Sequence, residues 1–199
     1  CIMRLTSTSP RASLPLHLDN PTGALPTPDQ WARAGQLCAT HGVRIFSDEM
    51  YRGLEHCRDG ADGDALTLPP AAFASGTLET SAAPSRHVSL GGLSKTLGLP
   101  GLRIGWLATQ DRALMARMEE LRDYTTICSS APSEALASMA LRCEGRILSA
   151  NRERVAKNLR KVKDFVLGDG KGDDAGPTGG ALEWCEPYGG TFCFPRLRQ

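Results

Sequence analysis

The chain of 199 residues predicts an α/β fold in which a mainly parallel sheet with flanking helices is followed by the start of a second, smaller unit. Short apolar strands alternate with amphipathic helices over the first part of the chain, which is the order typical of parallel sheets. A long helix is predicted near residues 146–167, and the Gly- and Asp-rich residues 169–180 behind it predict a flexible connection. We therefore expect one unit over residues 1–145 and a second over residues 146–199.

The predicted strands are short apolar runs, and several of them end beside a polar residue. They cover residues 14–18, 43–47, 86–90, 102–108 and 192–194. Residues 58–76, between the second and third runs, are rich in Gly, Asp, Pro and Ala and predict a surface loop.

The first predicted helix has clear local signals at both ends. Thr27 can cap its N-terminus, Pro28 suits the first helical position, and Gln30 completes a capping box. Gly42 predicts its end. The face expected to be buried consists of Trp31, Ala34, Leu37 and Cys38. Further helices are predicted over residues 111–122, 133–142 and 146–167. The first of them has an apolar stripe along one side, formed by Leu114, Met115, Met118 and Leu121. The last has an apolar stripe formed by Leu148, Val155, Leu159, Val162 and Val166.

Composition excludes several classes of protein. Hydrophobic residues make up 41% and charged residues 23%, which argues against wholesale disorder. The net charge of +1 gives no electrostatic basis for binding nucleic acid or an anionic membrane, and no apolar run approaches the length of a membrane span. We therefore expect neither partner. The basic face of the last helix is interpreted as a solvated surface.

The cysteines and the start of the chain bear on its location. Seven cysteines without a Cys-x-x-Cys pair indicate a reducing compartment, so we expect a cytoplasmic protein, with an organellar address ahead of residue 1 left open. His56 and Cys57 have no second ligand pair at matching spacing, so we expect no metal. Because the chain begins at Cys1 and its first methionine is Met3, we expect it to be a piece of a longer protein.

Two stretches resemble parts of a nucleotide-binding site. Residues 43–49 are similar to a Walker B strand, and residues 91–96 are similar to the end of a P-loop. A P-loop needs Gly immediately before its Lys so that backbone amides can wrap phosphate, and here that position is Ser94. The acidic strand also comes first, so the order is reversed. We therefore disfavour an ATPase or GTPase.

Three polar side chains follow predicted strands: Asn20, Asp48 and Lys95. Each also has a purely structural explanation: Asn20 as a turn residue, Asp48 as a cap of the segment after the strand, and Lys95 as a surface lysine. Ligands of parallel α/β sheets bind beyond the carboxyl ends of the strands, so the three can also converge on one site.

Read together, three motifs resemble the class I/II aminotransferases of pyridoxal 5'-phosphate (PLP) fold type I. The motifs are residues 20–23 (Asn-Pro-Thr-Gly), 47–51 (Ser-Asp-Glu-Met-Tyr) and 94–106 (Ser-Lys-Thr-Leu-Gly-Leu-Pro-Gly-Leu-Arg-Ile-Gly-Trp). Their order and spacing both agree with the family. The resemblance runs from about residue 14 to the end. It implies the second half of a three-layer PLP-binding large domain, plus the start of the small C-terminal α/β domain.

The resemblance also implies a role for each site residue. Lys95 is expected to form the Schiff base with PLP and to relay the proton. Asp48 is expected to pair with the pyridine nitrogen, and Tyr51 and Asn20 to bond the phenolic oxygen. Arg103 is expected to hold the phosphate, and the bond between Asn20 and Pro21 to be cis.

One departure from the family pattern concerns phosphate binding. Members usually carry Ser three residues before the lysine, where this chain has Gly92. Ser94 or Ser89 can supply the hydroxyl instead, and we assign Ser94 to the cofactor site. The family's phosphate-capping glycine-rich turn, its ring-stacking aromatic residue and its substrate-carboxylate arginine have no counterpart here, so we expect the chain alone to expose apolar faces and to be poorly soluble or inactive.

The function implied is a PLP-dependent aminotransferase of amino acid metabolism, which moves an amino group between an amino acid and a 2-oxo acid in a homodimer. A PLP lyase, cyclase or synthase on the same fold stays open, since residues 123–134 resemble the branch that includes capreomycidine synthase-like proteins. A non-catalytic homologue acting as a scaffold also stays open.

Overall fold

One four-stranded sheet organises the fold. The structure is a computed structural model that describes residues 12–13, 17–56, 70–73, 86–167 and 177–199. The strands are β1 (Ala12–Ser13), β2 (Arg44–Asp48), β3 (Val88–Gly92) and β4 (Gly105–Ala108), and they lie in the order β1-β2-β3-β4. The first three run parallel and β4 is antiparallel to β3. The sheet is therefore mixed, with a parallel majority, as the sequence predicts.

Three of the predicted strands are confirmed, the one over residues 192–194 is wrong, and the one over residues 14–18 lies mostly outside the described residues. Residues 14–16 lie outside the described residues, His17 and Leu18 form a bend, and the strand itself is Ala12–Ser13. Residues 192–194 form no strand because the Phe192 ring packs against Tyr51 and the backbone there joins no ladder. The ladder of this region joins β5 (Leu182–Glu183) to β6 (Arg196–Leu197), antiparallel.

Helix α1 (Pro28–Thr40) begins as its sequence predicts. The Thr27 hydroxyl accepts a hydrogen bond from the Gln30 amide, and the Gln30 side chain accepts one from the Thr27 amide, which confirms the capping box. Trp31 is buried against Ile45 of β2. The prediction for Leu37 is wrong: its side chain is 53% exposed, because α1 meets the sheet through the side that carries Trp31 and Cys38.

Three further helices follow the sheet: α2 (Arg112–Thr125), α3 (Ala131–Arg142) and α4 (Glu144–Leu167). Asp111 caps α2 and also pairs with Arg44, which joins the helix to β2. In α4, Leu148, Val155, Leu159 and Val162 are half-buried and Val166 is buried, as the stripe predicts.

Most of the predicted loop over residues 58–76 lies outside the described residues. Within it, Ala71–Phe73 form a 3-10 turn, and Ala71 and Ala72 are fully buried, so this part of the prediction is wrong. The turn is drawn inward because the Ala71 amide donates to the Glu49 carboxylate and the Ala72 amide donates to the Ser89 hydroxyl.

Many large apolar side chains of β4, α2, α3 and the connection between the two helices are exposed. They include Trp106, Leu107, Leu121, Tyr124, Ile127, Leu136, Met139 and Leu141. Leu121 was expected in the buried stripe of α2, and that prediction is wrong because no described element packs on this side of the helix. The exposure itself agrees with the expectation for the chain alone, while poor solubility stays a prediction. Across the described ranges, no helix combines the length and apolar character that a membrane span needs.

Candidate functional site

Asp48 closes β2 at the carboxyl end of the parallel strands. Ile45 and Ser47 alternate inward along this strand and leave Asp48 half-buried at its end. One carboxylate oxygen accepts a hydrogen bond from the Met50 amide at 3.0 Å. The other oxygen has no hydrogen-bond partner among the described residues, so this carboxylate can accept a proton donor from a ligand.

Asn20 lies on a tight turn beside the same strand end. The bond between Asn20 and Pro21 is cis, which confirms the prediction. Gly23 has a φ of +69°, and a Cβ there would lie 2.3 Å from the Cβ of Pro187, so only glycine fits. The Tyr188 amide donates to the Gly23 carbonyl, which fastens the turn to the C-terminal residues. The Asn20 amide group is exposed and has no hydrogen-bond partner in the described part of the chain.

Tyr51 and Lys95 meet across this edge of the sheet. The Lys95 Nζ lies 5.9 Å from the centre of the Tyr51 ring. The edge of the Tyr51 ring also meets Phe192, with centroids 4.8 Å apart and an interplanar angle of 87°. The hydroxyl of Tyr51 and the ammonium of Lys95 have no hydrogen-bond partner among the described side chains. The structure thus brings the two predicted residues together and adds Phe192, which motif reasoning missed.

Lys95 is held by the residues on either side of it. Leu93 and Leu97 are buried in one cluster with Ala137 of α3, while Lys95 between them is exposed. The Thr96 hydroxyl lies 2.9 Å from the Met50 carbonyl and 2.8 Å from the Arg52 carbonyl and donates to them. Thr96 therefore binds the lysine segment to the turn that carries Tyr51. Sequence analysis missed this contact, since nothing local links residues 46 positions apart.

Arg103 and Ser94 lie in the same connection as Lys95. The connection leaves β3 after Gly92 and returns at Gly105, and these two residues pair in the ladder. Arg103 has a φ of 57° and an exposed side chain, whose Nη1 donates weakly to the Pro100 carbonyl at 3.4 Å. The Ser94 hydroxyl is half-buried without a hydrogen-bond partner in the described part of the chain. Both side chains can take an anion.

A serine at position 92, where the family usually carries one, would have to displace its neighbours by a few tenths of an ångström. A Cβ on Gly92 would lie 3.0 Å from Met50 Cε, 3.1 Å from its Sδ and 3.2 Å from the Ile104 carbonyl oxygen. The alternative hydroxyl at Ser89 is also taken, because this buried side chain donates to Glu49 and accepts from the Ala72 amide. Of the two serines considered, Ser94 alone keeps its hydroxyl open.

Glu49 follows Asp48 but points away from the predicted site. Its side chain is buried and accepts hydrogen bonds from the Ala71 amide, the Ser89 hydroxyl and the Arg52 Nε. The 2.8 Å contact with Arg52 is a half-buried ion pair. These three residues and Glu49 form what we call the Glu49 network, and it stabilises the base of the site without contributing a free group.

His17 is buried directly beside Asp48. Its amide donates to the Asp48 carbonyl at 3.0 Å, but neither ring nitrogen has a hydrogen-bond partner among the described residues. Burial, reinforced by the Arg52 guanidinium, lowers the pKa of His17 to about 3. The imidazole is therefore neutral at pH 7, and its 3.7 Å contact with Glu55 is not an ion pair.

The free polar groups have the composition that PLP requires. A carboxylate suits a pyridinium nitrogen, an arginine and a hydroxyl suit a phosphate, and a lysine amine suits an aldehyde. All six predicted residues (Asn20, Asp48, Tyr51, Ser94, Lys95 and Arg103) flank the ends of β2 and β3 or the turns beside them. The donor set therefore fits the cofactor, with the exception of position 92.

Comparison with known proteins decides the family. The family model of class I and II aminotransferases matches residues 17–198. This chain belongs to the class I and II aminotransferase family. Capreomycidine synthase of Streptomyces vinaceus is 29% identical over 179 residues, which cover 89% of this chain and 39% of that protein. Aromatic-amino-acid aminotransferase 2 of Thermococcus litoralis is 28% identical over 181 residues, which cover 91% of this chain and 41% of that protein.

Solved structures agree with this assignment. A PLP-dependent cyclase, OrfR, superposes with a TM-score of 0.72 at 25% identity and covers 95% of this aminotransferase-family chain and 43% of its own. The aromatic aminotransferase of Pyrococcus horikoshii superposes with a TM-score of 0.73 at 22% identity, covering 94% and 44%. The fold is PLP fold type I, and the cofactor that the family indicates is PLP. The chain spans about two fifths of the length of the relatives it matches.

Proposed function

We propose that this chain carries the cofactor-holding part of a PLP-dependent aminotransferase, which moves an amino group between an amino acid and a 2-oxo acid. One observation supports this proposal above the others. Lys95, Tyr51 and Asp48 lie at one edge of the sheet, and each has a polar atom without a hydrogen-bond partner among the described residues. Asp48 and Tyr51 are half-buried, and polar groups in such positions are normally satisfied, so their open atoms are expected where a ligand completes the bonds. The exposed Lys95 beside them is accessible to that ligand.

Each residue has a proposed task. Lys95 would hold the cofactor through its amine, and once that amine is released its Nζ would move a proton to and from the α-carbon of the substrate. Asp48 would keep the pyridine nitrogen protonated, and the Tyr51 hydroxyl and Asn20 amide would donate to the phenolic oxygen. When bound, PLP supplies the electron sink for negative charge on the α-carbon.

The proposed phosphate contacts come from Arg103 and Ser94. Arg103 presents a planar fork of donors that matches phosphate oxygens. Its one hydrogen bond within the described chain, at 3.4 Å, is long enough to be exchanged for an anion. Ser94 adds a neutral donor next to Lys95.

Ring closure without amino transfer is the second candidate, and a specific observation favours it. Two of the matched relatives are, by name, a capreomycidine synthase and a PLP-dependent cyclase. The cofactor site is common to both chemistries, so the substrate-facing residues distinguish them.

Three further properties belong to this proposal. Residues 1–145 form part of the PLP-binding large domain, and residues 146–199 form part of the small domain. The enzyme works as a homodimer, to be measured by analytical ultracentrifugation. Its compartment is the cytoplasm, in keeping with the free thiols of the described cysteines: Cys38, Cys128, Cys143, Cys185 and Cys193.

The decisive experiment traps PLP on the lysine. The protein as its source organism expresses it is purified, mixed with PLP, reduced with borohydride and mapped by peptide mass spectrometry. We expect a phosphopyridoxyl adduct on Lys95 that Lys95→Arg abolishes and that the exposed-site control Lys157→Arg retains. Asp48→Asn is expected to weaken PLP binding about tenfold through loss of a charge-assisted bond. An adduct spread over surface lysines, unaffected by Lys95→Arg, would overturn the proposal.

The second arm separates transfer from cyclisation. The protein as its source organism expresses it is incubated with PLP, ¹⁵N-labelled amino acids and unlabelled 2-oxo acids. Label in a newly formed amino acid supports transfer. Label retained in a dehydrated or cyclised product supports the second candidate. A Lys95 adduct without either product would favour a cofactor-holding scaffold.

A further inference from the structure

A cavity of about 330 Å³ lies between α4 and the residues that follow Gly190, and Lys95 lines it. This volume falls within the range of small-molecule sites. We call it the α4 cavity. None of the proposed cofactor contacts other than Lys95 lines it, so it is not the space already assigned to PLP.

The inner surface of the α4 cavity is apolar. Its wall is formed by Leu54, Val155, Leu159, Val162 and Phe192. Cys193 adds to this wall, because burial raises the pKa of its thiol and so favours the neutral form. Such a wall favours a hydrocarbon or aromatic group over a polar one.

The charged residues of the α4 cavity are of one sign. Lys95 and Arg154 both line it, and among the lining residues that the structure describes none is acidic. Arg154 Nη1 donates to the Asn151 Oδ1 at 3.1 Å, and the other guanidinium donors have no partner in the described chain. Asn158 offers a further amide whose side chain has no described hydrogen bond. This arrangement favours an anion, and a carboxylate matches the arginine fork.

We propose that the α4 cavity binds an apolar carboxylic acid, with its hydrocarbon part against Val155, Leu159 and Phe192 and its carboxylate on Arg154. The inference goes beyond the proposed function, because it gives the acid a site of its own between α4 and the residues that follow Gly190. Arg154 is the residue of that site that would hold the carboxylate.

The test uses 3-phenylpropionate as the probe and needs no cofactor. The protein as its source organism expresses it is labelled with ¹³C in its Leu and Val methyl groups and titrated by NMR. We expect saturable shifts of the methyl signals of Leu54, Val155, Leu159 and Val162. The neutral analogue 3-phenylpropan-1-ol, which lacks the carboxylate, is expected to bind about tenfold more weakly, as is acetate, which lacks the ring.

Paired arginine variants locate the carboxylate. Arg154→Gln is expected to weaken 3-phenylpropionate about tenfold and to leave 3-phenylpropan-1-ol unchanged. Arg160→Gln is the matched control, because Arg160 is exposed on the same helix and does not line the cavity. Both positions are exposed, so both variants are expected to fold like the parent.

Each outcome is decisive. Absence of methyl shifts, or shifts that Arg154→Gln leaves unchanged, would overturn the inference. If the protein forms the Lys95 adduct with PLP but does not bind 3-phenylpropionate, the α4 cavity is refuted as a carboxylate site and the proposed function stands. If the protein binds 3-phenylpropionate but forms no adduct, the proposed function is refuted and the α4 cavity stands as a carboxylate site.

Discussion

Asp48 and Glu49 are adjacent carboxylates that face opposite environments. Glu49 is buried in the Glu49 network, where an amide, a hydroxyl and a guanidinium donate to it. Asp48 is half-buried and accepts from the Met50 amide alone. Ser89 and Ser94 repeat this contrast, since the first is fully bonded and the second has no described partner. The chain therefore completes its own hydrogen bonds on one side of the strand ends and leaves them open on the other, as expected of a ligand site.

The largest expected effect on stability comes from replacing each carboxylate with a neutral amide. Glu49→Gln places an amide donor among donors and breaks a half-buried ion pair, so we expect a loss of about 3 kcal/mol in the free energy of unfolding. Asp48→Asn, made in the cofactor-free chain, is expected to change it by at most about 0.5 kcal/mol. Urea unfolding of the two variants measures the difference. Equal losses would mean that both carboxylates are structural.

His17 departs from this pattern, since it is buried without hydrogen-bond partners for its ring nitrogens among the described residues. With a folded pKa of about 3, it stays neutral while the unfolded chain takes up a proton below pH 6.5. Its contribution to stability is therefore complete above pH 6.5 and is lost as the pH falls toward 3. Between pH 7 and pH 5 we expect this residue to account for about 2 kcal/mol of lost stability.

Unfolding at the two pH values tests this expectation. His17→Leu should remove that part of the pH dependence, and His41→Leu is the matched control, because His41 is exposed at the end of α1. A His17→Leu protein with the parent's pH dependence would show that the imidazole is protonated in the folded state.

The smallest expected effect on stability comes from removing the hydroxyl of Ser89 or of Ser94, and the two variants are expected to differ. Ser89→Ala leaves the buried Ala72 amide without its acceptor, so we expect a loss of about 1.5 kcal/mol in stability and unchanged PLP affinity. Ser94→Ala is expected to leave stability within about 0.5 kcal/mol and to weaken PLP several-fold, with no effect on pyridoxal, which lacks the phosphate. Calorimetry and PLP titration give both quantities. Reversed effects would move the phosphate to Ser89.

Features that depend on neighbouring residues were predictable. The capping box of α1 is local and is confirmed. The cis bond after Asn20, which the family resemblance implied, is confirmed as well. The motif residues were found because fold type I aminotransferases keep them in a fixed order. Leu37 was placed wrongly because periodicity defines an apolar face without saying which part of it a strand covers.

Contacts between distant residues lay beyond prediction. The bond between Ser89 and Glu49 joins positions 40 apart, and the bond between Thr96 and Met50 joins positions 46 apart. Neither the residue types nor their spacing in the sequence predicts such a pair. Phe192 likewise has the composition of a strand, yet it serves as a packing partner of Tyr51.

The sequence alone was sufficient for the family, the cofactor and the start of α1, because motif order and the hydrogen bonds of a capping box carry that information. It could not say which of two adjacent carboxylates, or which of two nearby serines, remains free. That choice depends on how the 70–73 turn and Arg52 pack against β2 and β3. A side chain is available to a ligand when the rest of the fold has not already satisfied its polar atoms, and this is a property of the packed chain.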